Sequence, residues 1–72
     1  MFYIDQDYLD YKIKAAGTTK EAVAAACGRS RTTIWRRFGN GTVTIADMHA
    51  IIVFLKLSEE DVRKIFFAQK VA

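Results

Sequence analysis

The 72-residue chain contains no proline, only one cysteine and only one histidine. A lone cysteine cannot form an internal disulfide, and one cysteine with one histidine cannot supply the usual ligands of a zinc site. We therefore expect neither a disulfide framework nor a bound metal, and a reducing compartment such as the cytoplasm. Cys27 follows a run of alanines that offers no base to activate its thiol, so we expect a small buried hydrophobic residue rather than a nucleophile.

Long apolar runs are missing as well. No stretch approaches the roughly 20 residues needed to cross a bilayer, and the first ten residues carry three aspartates before any lysine, unlike a signal peptide. We expect no membrane anchor. No potential nucleophile has a plausible base, and a chain of this size has little room for a substrate cleft. The sequence thus predicts no catalytic residues, no enzyme activity and no cofactor.

Charge is distributed unevenly along the chain, although its net value is only +3. The acidic residues cluster towards the two ends, whereas the stretch from residue 20 to residue 37 contains five cations and a single acid, Glu21. These cations are Lys20, Arg29, Arg31, Arg36 and Arg37. With 51% hydrophobic residues the chain can also form a core. We expect one domain over residues 1–72 with a basic patch in its middle.

Glycines and capping residues divide the chain into five predicted helices, so we expect an all-α domain. The first two cover about residues 7–16, ended by Gly17, and 20–27, capped by Thr18 or Thr19. Ser30 caps the third, which the turn at 39–41 closes. Thr44 opens the fourth, and Ser58 opens the fifth with Asp61 as its capping-box partner. Residues 1–4 and 66–71 are predicted to be extended.

Apolar residues recur at helical spacing on four of these helices and predict the faces that form the core. The predicted inward residues are Leu9, Ile13 and Ala16; Ile34 and Phe38; Ile45, Met48, Ile51, Ile52 and Leu55; and Val62, Ile65 and Phe66. The second helix is rich in alanine, which allows close approach of its neighbours. His49 lies in the fourth helix without a second ligand at metal-binding spacing, and we expect it at the surface.

The second and third helices have the pattern of a helix-turn-helix. Counted from Lys20, a small residue (Ala24), a turn glycine (Gly28) and a branched apolar residue (Ile34) occupy the fifth, ninth and fifteenth places. The small residue allows two helices to cross closely, the glycine permits a left-handed turn, and the branched residue is buried between them. This spacing favours a DNA-binding unit over an ordinary helical hairpin.

The stretch from Thr19 to Ile34 resembles the Cro and phage-repressor type of helix-turn-helix family, in which it corresponds to T-Q-E-x-L-A-x-x-x-G-x-S-x-x-T-I. The likeness extends over most of the chain, since residues 44–58 are similar to the fourth and fifth helices of that family, and the YID start and KIFFAQKV end resemble short regulators of temperate phages of Gram-positive bacteria. The resemblance implies a lambda-repressor-like fold, a place in a lysis-lysogeny switch in a bacterial host, and two copies of the chain on an operator.

The third helix is the predicted recognition helix. If Ile34 and Phe38 point inward, the opposite side of the helix faces outward and can reach base edges in the major groove. Thr32 and Arg36 point nearly opposite the inward pair, and Arg31 and Trp35 lie on one flank. These four residues, Arg31, Thr32, Trp35 and Arg36, are the predicted readout residues. Arginine can donate two hydrogen bonds to guanine, and the threonine methyl group can contact the thymine methyl group.

Phosphate contacts are predicted at both ends of this helix. The resemblance places Lys20, Ser30 and Asn40 at positions that hold phosphates in the family, and Arg29 and Arg37 add charge nearby. The free backbone N–H groups at the start of the helix also favour an anion there.

Three residues depart from the family pattern and keep a second hypothesis open. Arg29 stands where an apolar residue is usual, Ala22 replaces a common acid, and Trp35 replaces a small polar residue. Since tryptophan and arginine dominate many protein interfaces, the same helix would also suit a partner protein. In this alternative the chain modulates a phage repressor by binding it through Trp35, Arg31 and Arg36. Trp35 would otherwise contact DNA sugar or pack on the edge of its own domain.

Overall fold

Five helices account for most of residues 4–66, the part of the chain that the computed structural model describes. They are α1 (Gln6–Ala15), α2 (Lys20–Ala26), α3 (Arg31–Asn40), α4 (Ile45–Leu55) and α5 (Glu59–Phe66). No strand occurs within these residues. The prediction of an all-α, five-helix domain is therefore confirmed.

A polar side chain caps the start of each helix. The Ser30 hydroxyl accepts a hydrogen bond from Thr33 N–H, and Thr19, not Thr18, caps α2. Ser58 and Asp61 exchange the two hydrogen bonds of the predicted capping box, at 3.1 and 3.2 Å. The first helix begins one residue earlier than predicted because Asp5 accepts from Tyr8 N–H. Local side-chain chemistry thus sets where the helices begin.

Gly28 allows the sharp turn between α2 and α3. Its φ is +71°, a left-handed conformation that residues with a side chain rarely adopt. The turn closes through hydrogen bonds from Gly28 N–H to the Ala25 carbonyl (2.9 Å) and from Arg29 N–H to the Ala24 carbonyl (3.1 Å). Since a Cβ at residue 28 would meet nothing within 4 Å, the constraint is backbone conformation rather than space. The predicted turn glycine is confirmed.

The core is formed by apolar side chains from all five helices. Its largest fully buried side chains are Leu9, Val23, Ile34, Ile51, Ile65 and Phe66. Ala24 is buried too, as its place in the helix-turn-helix requires. For two residues the prediction of an inward position is wrong. Ala16 is exposed at the end of α1, and Ile45 is 76% exposed because the buried side of α4 runs through residues 47, 48, 51 and 55 instead.

A polar network joins α1 to the start of α5. The Asp61 carboxylate accepts from the Tyr8 hydroxyl at 2.8 Å, pairs with Lys12 Nζ at 3.1 Å and accepts from Ser58 N–H. The hydrogen bond from Tyr8, followed by those from Ser58 and Lys12, holds the pKa of Asp61 well below its ordinary value. Asp5 N–H adds a backbone hydrogen bond to the Ile65 carbonyl.

Replacing Asp61 with an uncharged residue should lower the melting temperature by an amount that depends on pH. Because its pKa is lower in the folded than in the unfolded chain, its ionisation stabilises the fold above the unfolded pKa of about 3.9, and this contribution is lost as the pH falls below that value. Asp61→Asn should melt at a lower temperature than the wild type at pH 7, and the difference should narrow below about pH 4. Thermal melts from pH 7 to pH 2 test this. A difference in Tm that stays constant over the range would contradict the assignment.

Of the two chain ends that were expected to be extended, only Ile4 and Phe66 lie in the described range. Phe66 is helical, as the last residue of α5, so the prediction is wrong there. Ile4 is buried and precedes the first helix, and the other residues of the predicted extended ends lie outside the described range.

Among residues 4–66 no single helix is long and apolar enough to cross a membrane. The pair α3 and α4 reaches that length only with a bend of 116° between the two helices.

Candidate nucleic-acid interface

One side of α3 is fixed in the core and the other faces solvent. Ile34 and Phe38 are buried, four residues apart, whereas Arg31, Thr32 and Arg36 are exposed. Helical geometry places Thr32 and Arg36 on the side opposite the buried residues and Arg31 on its flank, so three of the four predicted readout residues are accessible to solvent. We call this side, with its flanking cations, the α3 face.

Trp35 is the exception among the readout residues, because it is only half-exposed. Its ring packs edge-on against Phe38, with ring centroids 5.0 Å apart, and Lys20 Nζ lies 5.5 Å from the centre of its ring. Trp35 thus packs on the edge of its own domain. Part of its surface still borders the α3 face.

The predicted phosphate contacts occupy both ends of α3. Ser30 and Asn40 are exposed at its first and last turns, and Arg37 is half-buried in the last turn. The Ser30 side chain accepts from Thr33 N–H and donates to Thr33 Oγ1, so its hydroxyl is already engaged in capping. Lys20 begins α2 beside Trp35. Phosphate binding by these residues stays a prediction.

Three of the five cations in this stretch already have a carboxylate partner. Lys20 Nζ lies 3.5 Å from Asp10, Arg31 Nη1 lies 3.0 Å from Glu21, and Arg29 Nε lies 2.9 Å from Asp47. For Arg36 and Arg37 no carboxylate of residues 4–66 lies within salt-bridge distance. Among these five cations, Arg36 is therefore the exposed one most readily available to a new anionic or polar partner.

Asp47 is a buried acid that the sequence does not single out. It is 2% exposed, accepts from Arg29 Nε at 2.9 Å and from Thr44 N–H at 3.3 Å, and so forms a capping box at the start of α4. Burial acts to raise its pKa, but the hydrogen bonds from Arg29 and Thr44 outweigh it and hold the pKa below the ordinary value. The signal in the sequence is an aspartate three residues after Thr44 in an otherwise apolar helix.

Arg29 therefore has a structural partner in addition to its predicted role. Its guanidinium joins the turn before α3 to the first turn of α4. Removing it would leave a buried carboxylate with one partner fewer, a loss of about 1–3 kcal/mol. Phosphate binding by Arg29 stays a prediction.

Cys27 and His49 lie away from the α3 face. The Cys27 thiol is half-buried, 3.7 Å from the Asp47 carbonyl oxygen, and burial raises its pKa. His49 is exposed, as predicted, beside an apolar cleft of about 220 Å³ between α4 and α5. Within residues 4–66 no three histidine, cysteine or acidic side chains are grouped as metal ligands.

Comparisons with known proteins identify no relative of this chain. No protein-family model, curated protein or solved structure matches this chain. Evidence for function therefore comes from the residues of the α3 face.

Proposed function

We propose that this protein is a small phage-type transcriptional regulator that binds operator DNA through α3 in a lysis-lysogeny switch. The observation that carries the proposal is the exposure of Thr32 and Arg36 on the side of α3 opposite the buried Ile34 and Phe38. Arg31 is exposed as well, on one flank of that side. A recognition helix needs this combination, because its side chains must reach base edges from a rigid platform.

Each residue of the face has a distinct role in the proposed complex. Arg36 and Arg31 donate to guanine in the major groove, and the Thr32 methyl group contacts thymine. Arg37 and Asn40 hold phosphates at the last turn of α3, Lys20 holds one at the start of α2, and the N–H groups at the start of α3 face a phosphate as well. Phosphate contacts orient the domain, and base contacts select the sequence. Two copies on half-sites about one turn apart would read a palindromic operator.

The second candidate is a modulator that binds a phage repressor protein through the same face. The observation that favours it is the half-exposed ring of Trp35, which lies beside Lys20 and one helical turn after Arg31, since buried tryptophan and arginine anchors dominate many interfaces. Neutralisation of Arg31 and Lys20 by carboxylates also weakens the attraction of the face for phosphates. In this candidate Trp35 is the anchor and Arg31 and Arg36 surround it.

Binding to duplex DNA at several salt concentrations separates the two candidates. If Lys20, Arg37 and the N-terminus of α3 hold phosphates, the logarithm of the binding constant should fall linearly with the logarithm of salt, with a slope of about 0.9 per phosphate and about 3 for three contacts. Fluorescence anisotropy with a labelled duplex from the promoter region beside the gene measures it, with and without the neighbouring repressor protein. Tight binding to the repressor, together with no DNA binding at low salt, would contradict the leading proposal.

A further inference from the structure

Two carboxylates lie among the cations of the α3 face. Glu21 Oε2 is 3.0 Å from Arg31 Nη1, and Asp10 Oδ1 is 3.5 Å from Lys20 Nζ. Glu21 is the only acid between residues 20 and 37, and it contacts the first residue of the recognition helix. Glu21 thus places a negative charge at a position to which a bound nucleic acid would bring the negative charge of its phosphates.

From this juxtaposition we infer that Glu21 is a specificity-determining residue, which restrains Arg31 and disfavours binding to phosphates that are not part of the preferred site. The inference rests on the proposed function. Its physical basis is a difference between the two kinds of contact that Arg31 can make with DNA.

A base contact and a phosphate contact place different demands on the ion pair. Arginine has five N–H donors, so Arg31 can keep its bond from Nη1 to Glu21 and still donate to a guanine edge with its other nitrogens. Base edges are uncharged, and the Glu21 carboxylate does not repel them. A phosphate at Arg31 would instead bring two anions to the same guanidinium, and the repulsion would oppose that contact. Glu21 thus favours base contacts over phosphate contacts.

The ion pair between Arg31 and Glu21 is also weak enough to rearrange when DNA binds. Arg31 and Glu21 are 53% and 66% exposed, and ion pairs this exposed contribute only about 0–1 kcal/mol. Removing Glu21 should therefore leave the fold intact while changing how the domain selects DNA.

The chain offers a matched control on another helix. Glu60 is the second residue of α5 as Glu21 is the second residue of α2, and it pairs with Lys64 at the same 3.0 Å. The exposures of this pair, 68% and 52%, are also nearly the same. Glu21→Gln and Glu60→Gln each remove one negative charge, so a difference between them isolates the position of Glu21.

The test compares wild type and both variants on two duplexes, one selected by the wild-type protein from a random pool and one of scrambled sequence. Glu21→Gln should bind the scrambled duplex about 3- to 10-fold more tightly at low salt, with a steeper salt dependence, and should gain less than about 3-fold on the selected duplex. Glu60→Gln should change both by less than about 2-fold. Circular dichroism checks that all three proteins fold.

Two results would overturn the inference, and they differ from each other. Equal gains for Glu21→Gln and Glu60→Gln would show that only net charge matters, which leaves the proposed function standing. If the folded wild type and both variants bind no duplex at low salt, the proposed function fails, and the role of Glu21 in DNA selection fails with it.

Discussion

Replacing Phe38 with alanine is expected to lower the free energy of unfolding by about 3–5 kcal/mol. Phe38 is 3% exposed, fixes the inward side of α3 together with Ile34, and supports the ring of Trp35 at 5.0 Å. Truncation would leave a cavity beneath α3 and remove the contact with the ring of Trp35. For a domain this small the loss is comparable with its whole stability. Urea unfolding followed by circular dichroism measures it.

Phe54 gives the matched control for this substitution. It is 43% exposed on α4, and its replacement by alanine should cost below about 1 kcal/mol because most large losses come from buried positions. If both variants unfold at the same urea concentration, Phe38 does not anchor α3 as described.

The helices can be predicted from sequence because their signals are local. Ser30 and Ser58 accept hydrogen bonds from backbone N–H groups three residues away, and Gly28 acts through its own φ. The inward position of Ile34 and Phe38 follows from helical spacing alone. The same spacing places Thr32 and Arg36 on the opposite, exposed side and Arg31 on its flank.

The features that sequence does not predict depend on contacts between helices. Asp47 and Arg29 are 18 residues apart, and Tyr8 and Asp61 are 53 apart, so no local pattern joins them. Helical spacing wrongly places Ile45 inward because α4 is apolar on several sides and periodicity does not show which side is buried. Helical spacing also places Trp35 on the same flank of α3 as Arg31. It does not show how far the core covers the Trp35 ring, because that depends on the contact with Phe38.

Arg36→Ala is expected to weaken binding to the preferred duplex about 10- to 100-fold, equivalent to about 1–3 kcal/mol, and to change binding to a scrambled duplex much less. The reason is that Arg36 is exposed on the α3 face, and no carboxylate of residues 4–66 pairs with it, so its donors are available to a base edge. Isothermal titration calorimetry with both duplexes measures the difference.

Arg63→Ala serves as the control for the loss of charge. Arg63 is exposed on α5 and also has no ion-pair partner among residues 4–66, so both variants lose one equivalent positive charge. Equal losses for Arg36→Ala and Arg63→Ala on the preferred duplex would contradict base contact by Arg36.

Trp35→Phe keeps an aromatic ring on Phe38, and a large loss of repressor binding in this variant would favour the partner-protein candidate.

Selection of duplexes from a random pool tests most directly whether α3 reads base pairs. The wild-type protein should enrich a short motif containing guanine, and Arg36→Ala should lose the preference at one position of each half-site while the rest of the motif persists. A folded wild-type protein that enriches no sequence at low salt would contradict the central claim that the exposed side of α3 is a DNA recognition surface.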